Sequence, residues 1–159
     1  MKKVSVIIVN WNGKDVLSGC LRSLSGQDYD NFEVLVVDNG SEDGSQALVK
    51  NEFLSVKLIE NEENLGFAAG NNVGLRYALG QPDMTHCWIL NNDTLVDPAC
   101  LSSMQSRLSR EATPAVCGSI IHFFDNPETI QAIGGNCFNK RTGVALQSEG
   151  RFRAEHELD

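Results

Sequence analysis

Two apolar runs in this chain end in the same way: Val34-Leu35-Val36-Val37 gives way to Asp38-Asn39-Gly40-Ser41, and Cys87-Trp88-Ile89-Leu90 to Asn91-Asn92-Asp93-Thr94. Short continuous apolar runs are the pattern of strands buried on both faces of a parallel sheet. Acid, amide and hydroxyl groups then fall at the carboxyl ends of two strands, where open α/β sheets hold ligands. A carboxylate such as Asp93, flanked by amides and a hydroxyl, is poorly explained by packing and well explained by a hard cation shared with phosphate.

The rest of the chain fits such a sheet. Residues 4–9 read as a first strand, and Asn12-Gly13 opens a helix whose apolar positions Val16, Leu17, Cys20, Leu21 and Leu24 share one face. Residues 33–37 form the second strand and 43–52 a short helix; Val56 to Ile59 is a third strand, placed near the sheet edge by Lys57. A helix over 66–79, a strand over 86–91 and a helix started by Asp97-Pro98 follow, the last with Cys100, Leu101, Met104 and Leu108 inward. Ala115 to Ile121 reads as a fifth strand, and beyond it glycines punctuate short segments. Strands alternating with helices predict an α/β fold: a mostly parallel sheet with helices on both faces. At 159 residues, 1–159 is expected to be one domain.

Composition removes several functions. A formal charge of −8, with only 13 Lys and Arg and no basic stripe, argues against a nucleic-acid partner. Five scattered cysteines without a Cys-x-x-Cys suggest neither a zinc site nor a disulfide framework, and point to a reduced, cytoplasmic setting. Met1-Lys2-Lys3 before Val4 to Val9 mimics a signal peptide, but the apolar run ends at Asn10 and reads better as a strand. No stretch approaches the roughly 20 apolar residues of a membrane span. Neither G-x-G-x-x-G after the first strand nor a phosphate-binding G-x-x-x-x-G-K-[ST] is present. The sequence from Asp38 to Gly44 imitates a calcium loop, but the oxygen spacing fails at Gly40.

The residues that remain carry paired explanations. Trp11, just past a strand end, suits stacking on a base or anchoring of the turn against the first helix. Asp38 suits hydrogen bonding to a base or ribose, the plainer alternative being a turn role. The segment Asn64 to Gly74 combines small residues and amides at a helix start, suiting a diphosphate at the helix N-terminus, close packing on the sheet, or both. Asp93 is sufficient by itself for Mg2+ or Mn2+, which commonly use one or two carboxylates together with substrate phosphates. His86, His122 and His156 have no partner at ligand spacing and read as structural or solvated.

Together, Val4 to Gly13, Val34 to Ser45, Asn64 to Gly74 and Trp88 to Thr94 resemble the family 2 glycosyltransferases, especially the bacterial rhamnosyltransferase-like members, over roughly residues 3–150. The resemblance implies a GT-A fold that binds a nucleoside diphosphate sugar, UDP- or dTDP-linked, with Mg2+ or Mn2+. It implies that Val9, Asn10 and Trp11 lie against the base, that Asp38 bonds base or ribose, and that Gly66, Asn71 and Asn72 line the nucleotide cleft. Asn91-Asn92-Asp93 falls at the family's Asp-x-Asp place, with Asp93 on the metal and Asn92 near the ribose or diphosphate. Many relatives carry Arg where this chain has Asn71 and two carboxylates where it has Asn92 and Asp93, so charge neutralisation at the diphosphate is thinner. The implied reaction is inverting transfer of the sugar to a glycan or lipid-linked acceptor in cell-wall or polysaccharide synthesis, in the cytoplasm or at the inner face of the membrane. The acceptor region and catalytic base of similar enzymes fall beyond Asp159, so the base is unassigned and a fragment or a natural truncation is expected. A non-catalytic nucleotide-binding module and a sugar-phosphate nucleotidyltransferase are the alternatives.

Overall fold

The computed structural model describes residues 3–111, 115–133, 136–138 and 145–147. The chain divides into two compact units, Met1–Ser102 and Ser103–Asp159.

The first unit is built on β1 (Lys3–Asn10), α1 (Lys14–Ser25), β2 (Phe32–Asp38), α2 (Ser45–Glu52), β3 (Lys57–Glu60), α3 (Phe67–Leu79) and β4 (Met84–Asn91). Its four strands are all parallel, in the order β3-β2-β1-β4. The third strand takes an edge, as Lys57 suggested. From β1 the chain steps to β2 and β3, then crosses back over both to place β4 on the far side of β1. Right-handed crossovers therefore put α1 and α2 on one face and α3 on the other. The Arg22–Glu52 ion pair at 3.2 Å joins α1 to α2 on their shared face.

Burial follows the period-2 alternation of the strands. Ile7, Leu35 and Val37 form the core with Ala78 of α3, and Val9, Ile59 and Val73 pack against it. Val4, Val6, Ile8, Val34 and Val36 are buried on the opposite face, on the side from which α1 turns Leu17, Cys20, Leu21 and Leu24 inward. Each large aliphatic side chain so buried contributes about 1.5–3 kcal/mol. Val16 departs from the expected face of α1: it is exposed, because the helix presents a narrower apolar stripe than the sequence spacing suggested.

Helix α3 lies close to the sheet because two glycines face it one turn apart. A Cβ on Gly74 would meet Ile7 Cγ2 at 2.5 Å, and one on Gly70 would meet Val9 Cγ1 at 2.9 Å. The close-packing explanation of this small-residue segment is therefore realised.

Helix α4 (Cys100–Leu108) carries the chain across the boundary between the units. Asp97 accepts the Ala99 N–H at 2.9 Å, and the regular helix begins at Cys100, later than Pro98 where this cap placed its start. In the second unit β5 (Ile120–His122) pairs antiparallel with β6 (Ile130–Ile133), and β7 (Asn136–Phe138) with β8 (Ala145–Gln147). The strand expected over Ala115 to Ile121 is thus mostly not a strand. Only its end finds a partner, and that partner is a local hairpin. Among the described residues no helix is long and apolar enough to cross a membrane.

Replacing Gly74 by Ala is expected to destabilise the protein by about 1–3 kcal/mol, since the new methyl must displace Ile7 or lift α3. Urea unfolding of the two forms measures this directly.

Candidate functional site

The strand order reverses between β1 and β4, and ligands of open α/β sheets bind at the carboxyl ends of the strands flanking such a switch. β1 ends at Asn10 and β4 at Asn91, so Asn91-Asn92-Asp93 leaves the sheet beside the Asn10-Trp11-Asn12-Gly13 turn. Register sets Asn10 opposite Asp38 and Val9 opposite Asn91.

The fully buried amide of Asn10 joins both neighbours. Its Nδ2 donates to Asp38 Oδ2 at 3.0 Å and Ser41 Oγ at 3.3 Å, while its Oδ1 accepts from Asn92 Nδ2 at 2.8 Å. Gly13 makes room for this bond, because a Cβ there would lie 2.3 Å from Asn92 Nδ2 and 2.7 Å from Asn10 Oδ1. With its nitrogen committed inward, the remaining end of the Asn92 amide is an oxygen, the end that a hard cation takes.

Asp38 is enclosed by its own loop and its neighbours. It is 1% exposed. Oδ1 accepts the Ser41 N–H at 2.8 Å and Gln46 Nε2 at 2.8 Å, and Oδ2 accepts Ser41 Oγ at 2.7 Å besides Asn10. Burial alone would push this carboxyl's pKa up. The bonds from Gln46, Ser41 and Asn10 outweigh it and hold Asp38 below the ordinary 3.8. The turn role of Asp38 is therefore realised, both carboxylate oxygens being bonded to the chain.

A second set of amides continues along the same edge. Asn39 Nδ2 donates to Gly66 O at 3.2 Å and Asn64 Oδ1 at 3.3 Å, and its Oδ1 accepts from Asn61 Nδ2 at 2.8 Å. Asn64 Oδ1 also accepts the Gly66 N–H at 2.8 Å. These bonds fix the entry to α3, where Gly66 adopts φ 79° and ψ 170°, a conformation open essentially to glycine alone. No side chain caps that helix start, and residues 65–69 are exposed, so its first N–H groups face outward. Gly66, Asn72, Trp11 and Asp93 are all exposed; Trp11 is 56% exposed and so does not act as a buried anchor of the turn. Val9 is half-buried against Gly70 and belongs to the packing. Asn71 is buried, with Nδ2 donating to Phe67 O at 2.9 Å and Oδ1 lacking a partner.

Several residues of the site were not singled out in the sequence. Asp43 accepts the Lys14 N–H at 2.8 Å and the Ser45 N–H at 2.9 Å, so one carboxylate serves the first turns of α1 and α2. Hydrogen bonds from Ser45 and Lys14 override its desolvation and keep its pKa low as well. Asn12 at φ 49° receives the Glu42 N–H on its Oδ1 and donates its own N–H to Ser41 Oγ, clamping the first two loops together. An amide following a strand end would have hinted at Asn12; nothing local marks Asp43 as a double cap. Cys20 is buried beside the β4 exit, where desolvation raises its thiol to about 12 against the pull of the Thr94 N–H, so it stays protonated.

Among the described residues no group of three or more His, Cys, Asp and Glu side chains could hold a metal ion unaided. The donor set does fit a divalent cation completed by substrate: Asp93 supplies one exposed carboxylate, and Mg2+ or Mn2+ commonly takes its other ligands from phosphate and water.

A family model for glycosyl transferase family 2 matches residues 5–156. The chain belongs to glycosyl transferase family 2. YfnE of Bacillus subtilis (strain 168), an uncharacterized glycosyltransferase, is 36% identical over 119 residues, which cover 73% of this chain and 29% of YfnE. The Escherichia coli UDP-Glc:alpha-D-GlcNAc-diphosphoundecaprenol beta-1,3-glucosyltransferase WfgD is 35% identical over 94 residues, 55% of this chain and 37% of WfgD. The Pyrobaculum calidifontis mannosyltransferase PcManGT, solved with GDP-Man and Mn2+, superposes with a TM-score of 0.60 at 30% identity, covering 72% of this chain and 33% of PcManGT. S. aureus TarS 1-349 in complex with UDP-GlcNAc, at TM-score 0.61 and 22% identity over 78% of this chain and 41% of its own, speaks for the fold alone. This family 2 chain has the GT-A fold and spans less than half the length of each of these relatives.

Replacing Asp38 by Asn in this family 2 chain leaves the same shape but turns one acceptor into a donor facing Asn10, Ser41 or Gln46. A loss of about 1–3 kcal/mol at neutral pH is expected from the unmet bonds. Because the folded carboxyl titrates below its ordinary 3.8, its contribution is complete above that value and disappears as the pH falls through the lower folded one. The variant should therefore show a shallower fall in stability below about pH 4, measured by denaturant titration across that range.

Proposed function

We propose that this chain is the donor-binding part of a metal-dependent, inverting glycosyltransferase that carries a UDP- or dTDP-linked sugar for transfer to a glycan or lipid-linked acceptor. The observation that carries the reading is the strand-order reversal between β1 and β4, with the exposed Asp93 leaving β4 at that point and Asn92 tied to Asn10 beside it. Binding of GDP-Man and Mn2+ by PcManGT, at 30% identity, supports the ligand class.

In this reading Asp93 and the Asn92 oxygen hold Mg2+ or Mn2+, which when bound neutralises charge on the donor diphosphate. The uncapped start of α3, with Gly66 and Asn72 exposed, directs N–H groups and the positive end of the helix dipole at the same diphosphate. Trp11 offers a flat face to the base. Asn10, Asp38, Asn39 and Asn64 hold these parts in place, so the charge that develops on the leaving diphosphate meets dipoles already oriented. Asn71 contributes no charge where many relatives carry Arg, which leaves the cation a larger share of the neutralisation. Deprotonation of the acceptor falls to a carboxylate of the whole enzyme, no residue of this chain being assigned to it. Preference for a rhamnosyl donor rests on the sequence resemblance alone, and family membership disfavours the nucleotidyltransferase alternative.

Calorimetric titration with UDP- and dTDP-sugars tests the reading. Binding is expected with Mn2+ present and is expected to fall by about tenfold or more in Asp93→Asn. A chain that binds neither nucleotide, with or without the metal, would overturn it.

A further inference from the structure

The turn that presents Asp93 is fastened less to the sheet it leaves than to helix α1 beside it. The Cys20 thiol donates to the Asn91 carbonyl at 3.6 Å, and the Thr94 N–H faces the same sulfur closely enough to favour its charged form. This thiol thus holds the main chain just before Asp93. One turn further along α1, Ser23 Oγ accepts the Val96 N–H at 3.1 Å while donating to Cys20 O at 2.7 Å. Gln27 then continues the row: its Nε2 donates to Asp97 O at 2.8 Å and its Oε1 accepts the Leu101 N–H at 3.1 Å. Between these anchors Leu95 rests on a bare stretch of helix, its Cδ2 lying 3.4 Å from where a Cβ on Gly19 would stand.

Positions 20 and 23 lie about one turn apart on α1 and Gln27 just past its end, so this row is a polar seam that leaves the inward face of the helix and follows the chain beyond it. Most of its bonds go to main-chain groups of the loop rather than to side chains. It therefore fixes the path of the loop whatever residues the loop carries. Cys20 is fully buried and Ser23 half-buried, which removes the former from contact with any ligand and leaves it a structural hold on the turn.

We infer that Cys20 and Ser23 are positioning residues of the cation site: by clamping the main chain at Asn91 and Val96, on either side of Asp93, they set where its carboxylate stands, and with it the affinity for the divalent ion. The inference rests on the reading of Asp93 as the cation ligand. A thiol suits this place because it is donor and acceptor at once and its long bonds span a gap that a hydroxyl closes only in part.

The test uses the full chain with Cys20→Val, which keeps the bulk and removes the bond to Asn91 and the acceptor facing the Thr94 N–H, Cys20→Ser, which restores a donor and acceptor, and Ser23→Ala. Three quantities are read: amide exchange at Thr94 and Val96 without ligand, Mn2+ binding by electron paramagnetic resonance with UDP present, and UDP binding without metal. Cys20→Val is expected to speed exchange at Thr94, and Ser23→Ala at Val96. Each should weaken Mn2+ by about tenfold or more, with metal-free UDP binding unchanged and Cys20→Ser intermediate. Folded variants that exchange and bind Mn2+ as the parent does would overturn the inference, and so would a parallel loss of metal-free UDP binding, which marks general loosening. Should Cys20→Val fail to fold, Ser23→Ala, which removes a single hydroxyl, decides. A parent chain that takes up no Mn2+ with UDP would instead refute the Asp93 reading and the inference with it.

Discussion

One buried amide ties the working edge of this molecule together. Asn10 stands at the end of a central strand, donates to Asp38 at the end of β2 and accepts from Asn92 just past the end of β4. An amide buried with either end unmet would cost about 1–3 kcal/mol, so the arrangement holds only while strand register keeps all three residues level. Parallel pairing of Asn10 with Asp38 and of Val9 with Asn91 supplies that register. The absence of a side chain at Gly13 supplies the space. The crevice between β1 and β4 is consequently a braced feature of the fold and not a gap left by its loops.

The bracing divides labour between the two acids that the sequence brings to mind. Asp38, enclosed by Asn10, Ser41 and Gln46, spends its charge on holding the first two loops, and that enclosure keeps it ionised. Asp93, exposed, is left free to meet a cation. Helix α3 completes the edge from the other face: Gly70 and Gly74 let it settle on Val9, Ile7 and Leu35, and Asn39 and Asn64 hold its uncapped start in place. Close packing and an open helix terminus, weighed against each other in the sequence, turn out to be the same device.

How much of this was legible follows from what a sequence encodes locally. The four parallel strands announced themselves as apolar runs closed by polar clusters, and Lys57 marked the edge strand, because burial on two faces leaves a residue-by-residue trace. The α/β class followed from the order of those runs, and the family from the resemblance carried by the motifs that close them. Partners across the sheet left no such trace. Nothing in the neighbourhood of Asp38 shows that Asn10, 28 positions earlier, would close on it. Asp43 capping two helices and Cys20 bracing the Asp93 turn were unreadable for the same reason: their partners are main-chain groups, which every residue possesses. Ala115 to Ser119 read as strand on composition, yet strands need a partner and only Ile120–His122 found one. Val16 was misjudged because helical spacing gives the centre of an apolar stripe better than its margin.

The central claim is that the ends of β1 and β4, and not the other acidic parts of the chain, form the place where cation and nucleotide meet. Paramagnetic broadening tests it most directly, by following backbone amide resonances of the isotope-labelled chain as Mn2+ is added in the presence of UDP. The account predicts loss of signal centred on Asn92, Asp93 and Thr94, extending to Asn12, Gly13 and the first turn of α3. Broadening centred instead on Glu62 and Glu63, or spread over the exposed carboxylates without a centre, would contradict it.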